Sequence, residues 1–545
     1  MSRNVKCRLR LQGTLIATTP LHVGGFGDDI DTDLPLARDG QGKWYIPGTS
    51  LAGVLRQWCE ELGASRGEKQ WIKDFWGYQK ADEGHASFVI VEDGIIKDAH
   101  KVLDEIRDHV GIDRKWGCAA EHIKYDRAIL PRGTKVDFCL IVEVPPHEDR
   151  NRVLGMLVRL RDALTKEEIR LGAAKTRGLG RVRLEGAHIY EQRLEKRDDV
   201  FAYLENRAAS PGLDSWKRLD NVDVNQASSH WPDEPSSRLS VIIDWHPIGP
   251  IMVKSGYEGV ASDMLPLVSG INGKVALVLP GSSIKGVLRS HAERIVRTVT
   301  GFDISSTQDP KQRFLEHVEL PLINELFGKR AEHGSRLNGS RSAQSLKQSS
   351  DVDRSDTERD DAPGYTPGLA ALSVADCYAT QQISREAWRA VETAPSDDLL
   401  HKALVQANLR AWQEVYHVAI DRWLGSAAES MLYTILEPHD TQWEPIRIDI
   451  DLKRLPRKIQ APAIALLLLL LRDMIAHRVP LGFATHRGMG TIAIDKITIS
   501  TQGQLPGEIA QIVNVSLQNG KLCNIPPEVS NSWRQWIQAT NSHAR

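Results

Sequence analysis

The sequence predicts an α+β protein built from two tandem copies of one domain. Two observations support this prediction: four segments recur in the same order in both halves, and each half alternates between strand-like and helix-like spacing of apolar residues. At 545 residues the chain is also longer than a usual single domain. A repeat of this kind determines how the remaining patterns are divided between domains.

The most similar pair of segments reads PGTSLAGVLR at 47–56 and PGSSIKGVLR at 280–289. Each contains a Pro-Gly turn, two hydroxyl residues and the start of an apolar helical stripe. We therefore expect helices from Thr49 and from Ser283, capped by hydroxyl side chains. The other three pairs are 19–25 with 249–256, 109–114 with 417–422, and 171–180 with 481–490.

Each copy follows the order β-α-β-β-α-β, which is that of the ferredoxin-like fold. In the first copy the predicted strands are 5–18, 86–92, 136–144 and 181–185, and the predicted helices are one from residue 49 and one at 152–164. In the second copy the predicted strands are 239–246, 370–377, 446–452 and 491–500, and the predicted helices are one from residue 283 and one at 461–477.

These elements predict a first domain at 1–207, a polar linker at 208–237 and a second domain at 238–503. Within the second domain, residues 329–366 are rich in Ser, Gly, Arg and Asp and contain almost no apolar residues, which predicts a disordered insertion. Residues 504–545 form a C-terminal extension to which the sequence assigns no role.

The composition narrows the class of protein. A formal net charge of −2 and a pI near 6.8 exclude a globally basic nucleic-acid binder, but not a local basic groove. The six cysteines form no CxxC pair, which argues against a zinc site or disulfide framework and suits a reducing cytoplasm. We find no signal-peptide pattern, and the most apolar stretch, 464–471, is far shorter than the roughly 20 residues that span a bilayer. We expect that stretch to be a buried helix, and the protein to be soluble and cytoplasmic.

The two repeated glycine loops match neither common nucleotide-binding motif. Glycine lets backbone N–H groups approach a phosphodiester chain closely, and Lys175, Arg177, His486 and Arg487 add charge that suits phosphate contact. The alternative is that the glycines only form turns with positive φ. Recurrence of the loop in both copies favours a shared ligand.

The starts of the two repeated helices are also candidate anion sites, because free N–H groups and the positive end of the helix dipole lie there. Arg56, Lys285 and Arg289 lie within about two turns of these ends. Ordinary capping with solvated charges is the alternative interpretation.

Carboxylates crowd the loop that follows His22, and Asp31 and Asp33 are among them. In the second copy the corresponding loop contains Asp263, and both Asp33 and Asp263 lie shortly before a Pro-Leu pair. Acidic loops are usually solvated surface. Carboxylates beside a phosphate chain repel it unless they bind a metal or handle protons, so catalysis is the second interpretation.

Taken together, these segments resemble the RAMP superfamily, and within it the Cas-seven-type backbone subunits of type III CRISPR effector complexes. The resemblance rests on residues 20–25, DLPL at 33–36, YIPGTSLAGVLR at 45–56, and Ile-Asp-Arg at 112–114 and 420–422. The glycine loops resemble the glycine-rich loop of that family. Two fused copies resemble the tandem backbone subunit of a type III-D complex.

The resemblance implies a modified RNA-recognition-motif core that holds a CRISPR guide RNA, and a thumb-like hairpin that disrupts the guide–target duplex at intervals. It also implies that a loop aspartate in each active copy cleaves complementary target RNA. Asp33 matches the catalytic position well, whereas Asp263 matches less well because an extra residue precedes its proline. Asp33 is also the candidate ligand for Mg²⁺ or another divalent cation, and Asp31, His22 and Lys175 are candidate helpers.

The resemblance also implies that the chain binds the other CRISPR effector subunits of a multi-subunit complex. It implies no association with a membrane. The residues expected to bind RNA are Ser50, Arg56, Arg114, Arg177, Lys285, Arg289, Arg422, His486 and Arg487.

The sequence is compatible with three functions. The first is a metal-dependent endoribonuclease subunit directed by guide RNA; RNA carries its own nucleophile, the 2′-hydroxyl, so the protein need mainly align it. The second is a scaffold that packages guide RNA while another subunit cuts. The third is a RAMP endonuclease that processes the guide precursor alone. The sequence does not decide between proton transfer and metal binding for the aspartate.

Overall fold

The computed structural model describes residues 4–543 except 26–31, 64, 81–82, 99–101, 103, 115, 210–215, 220–230, 232–236, 303–308, 310–319, 330–368 and 504. Asp31, most of the predicted linker and nearly all of the predicted insertion lie outside these described residues. The domain boundaries stay a prediction. The described residues form two mixed α+β halves, each around its own apolar core.

The first half is built on a five-stranded sheet in the order β12-β11-β1-β9-β5. Its strands are β1 (Cys7–Ala17), β2 (Tyr45–Ile46), β3 (Tyr78–Lys80), β4 (Glu83–His85), β5 (Val89–Val91), β6 (Gly94–Ile95), β7 (Glu105–Ile112), β8 (Ala119–Ile129), β9 (Lys135–Val144), β10 (Arg177–Gly178), β11 (Val182–Arg193) and β12 (Lys217–Arg218). Its helices are α1 (Gly48–Leu62), α2 (Arg66–Phe75), α3 (Arg150–Thr165) and α4 (Arg197–Ala209).

The second half is built on a sheet in the order β10-β16-β20-β13-β21. Its own strands are β13 (Arg238–Pro247), β14 (Val268–Ile271), β15 (Lys274–Leu279), β16 (Leu372–Ala375), β17 (Cys377–Tyr378), β18 (Gln413–Ile420), β19 (Ala427–Glu437), β20 (Ile446–Asp451), β21 (Ile492–Gln502), β22 (Ser516–Gln518) and β23 (Lys521–Cys523). Its helices are α5 (Gly281–Thr300), α6 (Ile323–Phe327), α7 (Arg385–Glu392), α8 (Asp397–Gln406), α9 (Arg457–Ile475), α10 (Gly507–Ala510) and α11 (Pro527–His543).

The predicted ferredoxin-like order is confirmed in both halves. The fourth, first, third and second predicted strands lie side by side as β11-β1-β9-β5 and as β21-β13-β20-β16. Strand β1 alternates buried and less buried residues, with Leu9 and Leu11 fully buried, because one face of the sheet packs on α1 and α3. Each such leucine stabilises the fold by about 1.5–3 kcal/mol through burial. The predicted buried helix around 464–471 is the centre of α9, also in a core.

The predicted hydroxyl caps of the repeated helices are wrong. In α1 and α5 the N-cap residue is the proline of the Pro-Gly turn, and no side chain bonds to the helix start as a cap. Instead the N–H of Gly48 donates to Asp93 Oδ1 over 2.6 Å, and the N–H of Gly281 donates to Asp376 Oδ1 over 2.7 Å. At both helix starts a carboxylate of the chain itself therefore occupies part of the predicted anion site.

Two long hairpins, which the spacing of apolar residues did not predict, project from the sheets at matching places. The first hairpin is β7–β8 and the second hairpin is β18–β19. In both, the aspartate of the Ile-Asp-Arg motif closes the tip: Asp113 accepts from the N–H of Trp116, and Asp421 accepts from the N–H of Trp423. The aspartate of this motif thus has a structural role.

The C-terminal extension, to which the sequence assigned no role, covers the helical side of the second half. Helix α11 packs against α9, and Val529 is buried in the second core. Asn541 also donates to the carbonyl of Val299 in α5 over 3.3 Å. Among the described residues no helix is both long and apolar enough to cross a membrane.

The two halves are joined by hydrogen bonds and ion pairs. The two residues of β10, Arg177 and Gly178, belong to the glycine loop of the first half but pair in parallel with β16 of the second. Among the described residues, the ion pairs from the first half to the second are Arg107–Asp376, Arg114–Glu293, Arg132–Glu444, Arg170–Asp449 and Arg181–Asp449. All five place an arginine of the first half on a carboxylate of the second.

Candidate nucleic-acid interface and cleavage site

The loop aspartate of the first half is held against the first hairpin by reciprocal hydrogen bonds. The N–H of Asp33 donates to Asp126 Oδ1 over 2.7 Å, and the N–H of Asp126 donates to Asp33 Oδ2 over 3.0 Å. The hydroxyl of Thr32 also donates to Asp126 Oδ1, over 2.7 Å. These bonds fix the loop on β8 while the side chain of Asp33 stays exposed, so two neighbouring carboxylates belong to one rigid unit.

The loop aspartate of the second half is held in the same way. The N–H of Asp263 donates to Thr434 Oγ1 over 2.9 Å, and the N–H of Thr434 donates to Asp263 Oδ2 over 2.7 Å. Thr434 takes the place of Asp126 on the equivalent strand of the second hairpin. The two sites therefore share their backbone geometry and differ by one carboxylate.

A stacked histidine and tyrosine lie beside each of these loops, together with the arginine of the glycine loop. In the first half the His109 and Tyr125 rings stack with centroids 5.0 Å apart, and Arg177 Nη1 donates to the Tyr125 hydroxyl over 3.0 Å. In the second half the equivalent His417 and Tyr433 rings stack at 5.3 Å. Arg487 likewise donates to the hydroxyl of Tyr433. The same three residue types meet in the same way in both copies.

Tyr125 and Asp126, whose carboxylate binds the acidic loop, point to opposite faces of one hairpin. Tyr125 and Asp126 are consecutive residues of β8, and successive side chains of a strand point to opposite sides. Each hairpin thus separates an aromatic and basic face on one side from a carboxylate on the other. We call this arrangement a partition. An aromatic face with arginine suits stacked bases and phosphates, whereas an exposed carboxylate suits chemistry at a phosphodiester.

His109 is neutral in this environment. Burial and the neighbouring guanidinium of Arg127 lower the pKa of His109 to about 4. Its Nε2 is buried without a hydrogen-bond partner among the described residues. His109 therefore serves as a flat aromatic ring under Tyr125 rather than as a cation.

The predicted helpers lie elsewhere. His22 is buried, and its Nδ1 lies 2.7 Å from the carbonyl oxygen of Ala128; burial and the nearby Arg127 lower its pKa. Lys175 lines a cavity between the two halves, and burial followed by the charge of Arg454 lowers its pKa. The structure shows no contact of either side chain with Asp33, and the third helper, Asp31, lies outside the described residues.

The predicted RNA-binding residues divide into two groups. Arg177, Arg422, His486 and Arg487 are exposed, and Ser50 is half-buried at the start of α1. The cationic groups of the others already have partners inside the chain: Arg56 pairs with Glu60, Arg114 and Arg289 pair with Glu293, and Lys285 Nζ donates to the carbonyl of Leu372. Lys285 is also buried, and burial lowers its pKa. RNA contact stays a prediction for all nine.

Among the described residues no group of three or more histidine, cysteine, aspartate or glutamate side chains could hold a metal ion. Asp33 and Asp126 nevertheless provide two carboxylates, a donor set that Mg²⁺ accepts when water and phosphate oxygens complete its coordination. The second site offers only Asp263 and a threonine hydroxyl. The residues present therefore fit a divalent cation better in the first half than in the second.

The sequence interpretation missed Asp126 and the stacked pairs. One signal was available, because His109 and His417 begin matching segments, and Tyr125 and Tyr433 follow them at the same spacing. Extending the repeat through the second strand of each hairpin would have identified them.

Comparisons with known proteins agree with this organisation. The sequence profile of one protein family, described as RAMPs: RAMP superfamily, matches residues 14–183 and 271–493, which together are more than half of the chain. The CRISPR system Cms endoribonuclease Csm3 of Methanocaldococcus jannaschii is 24% identical over 199 residues. That similarity covers 33% of this chain and 79% of the relative's length.

Proposed function

The chain belongs to the RAMP superfamily, and on that premise we propose that it is a backbone subunit of a type III CRISPR effector complex. In this proposal it holds guide RNA and cleaves complementary target RNA. The similarity to a CRISPR system endoribonuclease supports an RNA-cleaving CRISPR subunit. Its partners would be guide RNA, target RNA and other effector subunits in the cytoplasm, with no membrane involved.

The single observation that carries the proposal is the duplicated partition. In each half an exposed loop aspartate is bonded to one strand of a hairpin, and a stacked His–Tyr pair with an arginine lies on the other face. Two copies with the same arrangement favour a ligand that extends past both, as a polynucleotide does.

The hairpins supply a means of separating guide from target. Their tips expose large apolar side chains, with Trp116 65% exposed and Trp423 94% exposed. Apolar side chains inserted between base pairs unstack them. We place the guide RNA on the face with Arg177 and Arg487, and the target nucleotide displaced by the tip on the face with Asp33 or Asp263.

Cleavage then needs little from the protein beyond alignment. The 2′-hydroxyl of the displaced nucleotide attacks the adjacent phosphorus and gives its proton to a base; the 5′-oxygen leaves with a proton from water, so that the products are a 2′,3′-cyclic phosphate and a 5′-hydroxyl. The carboxylate of Asp33, held by backbone bonds of its loop, is positioned to take that proton or to orient the hydroxyl. A divalent cation held by Asp33 and Asp126 would supply charge neutralisation at the phosphate.

The test uses the complex assembled with guide RNA and labelled complementary target, carrying Asp33→Asn, Asp263→Asn or both. Asparagine keeps the acceptor for the N–H of Asp126 or Thr434 while removing the charge. Each single change should abolish one cut without loss of target binding, and the double variant should cut nowhere. Asp39→Asn is the matched control, since it removes a carboxylate whose bonds lie within its own turn.

The same proteins and RNA also test the two alternative functions, a guide scaffold and a processing endonuclease. If the double variant cuts at every site as the wild type does, the subunit is a guide scaffold and another subunit cuts. If the isolated wild-type chain cleaves unprocessed guide precursor, it is a processing endonuclease. A smaller effect of Mg²⁺ removal at the site of Asp263 than at that of Asp33 would agree with the missing second carboxylate.

A further inference from the structure

Within the chain, the first hairpin docks on the second half through two arginines. Arg107 Nη1 lies 2.5 Å from Asp376 Oδ2, and Arg114 Nε lies 2.6 Å from Glu293 Oε2. Both carboxylate side chains are 0% exposed. We call Asp376 and Glu293 the filled receptor.

The first half carries an equivalent of Asp376. Asp93 Oδ1 accepts from the N–H of Gly48 at the start of α1, as Asp376 Oδ1 accepts from the N–H of Gly281 at the start of α5. In the second half the other oxygen binds Arg107. Asp93 is exposed, and its Oδ2 has no partner among the described residues.

The first half also carries an equivalent of Glu293. Glu60 Oε1 pairs with Arg56 Nε over 3.0 Å, and Glu293 Oε1 pairs with Arg289 Nε over 2.8 Å, each one turn along the same repeated helix. Glu293 uses its other oxygen for Arg114, whereas the described part of the chain offers no partner to Glu60 Oε2. Asp93 and Glu60 thus form an open receptor, which makes the same bonds to α1 as the filled receptor makes to α5.

The second hairpin of another copy of this chain does not complement the open receptor. At the positions of Arg107 and Arg114 it has Val415 and Arg422, so one of the two charges is missing. The other bridging arginines are lost as well. The residues at the positions of Arg132, Arg170 and Arg181 are Asp440, Pro480 and Thr491.

We propose that Asp93 and Glu60 receive the hairpin of a different RAMP subunit, one that carries arginines at the positions of Arg107 and Arg114. The chain consequently has a defined neighbour on the side of its first half and does not polymerise with itself. Charge complementarity and continuity with the interface inside the chain support this assignment. It does not depend on whether Asp33 cleaves RNA, so the two proposals fail separately.

The first test restores the missing charge. Wild-type chain should sediment as a monomer, whereas Val415→Arg should self-associate in a way that high salt weakens. Adding Asp93→Asn, which keeps the acceptor for Gly48, should weaken that association by about 30-fold or more, as expected for loss of one partner of a buried charge pair. Val415→Gln is the matched control and should stay monomeric.

Three outcomes overturn the proposal. They are a folded Val415→Arg chain that remains monomeric, an association that Asp93→Asn leaves unchanged, and a wild-type chain that self-associates through Asp93. If Val415→Arg does not fold, a second experiment keeps the wild-type hairpin. The effector complex is then purified with a chain that carries Asp93→Asn and Glu60→Gln. Native mass spectrometry should then show loss of one neighbouring subunit with guide RNA still bound to the rest. An intact complex, or a released subunit without the two arginines, is also incompatible with the proposal.

Discussion

Removing the ion pair between Arg107 and Asp376 tests quantitatively how strongly the two halves are held together. The side chains are 4% and 0% exposed, and Arg107 Nη2 also donates to Ser269 Oγ over 2.8 Å. Arg107→Met removes both bonds, and among the described residues the N–H of Gly281 is then the remaining hydrogen-bond donor to the buried carboxylate. Breaking a buried pair in this way costs about 3–5 kcal/mol.

Equilibrium urea unfolding followed by tryptophan fluorescence measures this cost, because the second core contains Trp245, Trp388 and Trp412. Arg183→Met is the matched control: Arg183 pairs with Glu185, both about half exposed, and its loss should cost at most about 1 kcal/mol.

A double-mutant cycle separates the charge pair from packing. In Arg107→Met with Asp376→Asn no buried charge remains unpaired, so the double variant should be less destabilised than the sum of the single variants, with a coupling of about 2–3 kcal/mol. A cost of Arg107→Met no larger than that of the control, or a coupling near zero, would refute the reasoning.

Two further predictions concern the face with the stacked rings. Because His109 has a pKa of about 4 when folded and about 6.5 when unfolded, the unfolded chain binds the proton first. The stability of the wild type should be complete above pH 6.5 and fall by about 1–2 kcal/mol more than that of His109→Gln between pH 6.5 and 4, measured by urea midpoints. Arg177→Ala and Arg487→Ala should each weaken guide RNA retention and lower the salt slope by about one unit without changing sequence preference, whereas Arg183→Ala should do neither. Unchanged slopes in filter binding would mean that these arginines do not contact phosphate.

The sheets and the buried helix were predictable because the spacing of apolar residues along each element shows which of its faces is buried. In β1 the buried residues alternate, and in α9 apolar residues surround the helix, so spacing alone identifies both. The hairpins do not follow this relation between spacing and burial, because the apolar residues Val110, Ile112 and Tyr416 are exposed. Their outline was available only through resemblance to a family.

The candidate site was predictable in part. Asp33 and Asp263 were identified by their sequence surroundings, but their partners lie on the hairpins, 93 and 171 residues away. Local spacing contains no information about such contacts. The same holds for the helix starts, where a carboxylate 45 or 95 residues further along the chain takes the place of the expected hydroxyl caps.

The pairing of Arg177 and Gly178 with β16 affects how this chain can be divided. By covalent connection these residues are part of the first half, but by hydrogen bonding they complete the edge of the second sheet. Cutting the chain at the linker and separating the products would uncover that edge, and an unprotected strand edge pairs readily with other chains. Because the two copies are fused, the first half always covers this edge of the second sheet. The second half expressed alone should therefore aggregate unless the first half is supplied with it.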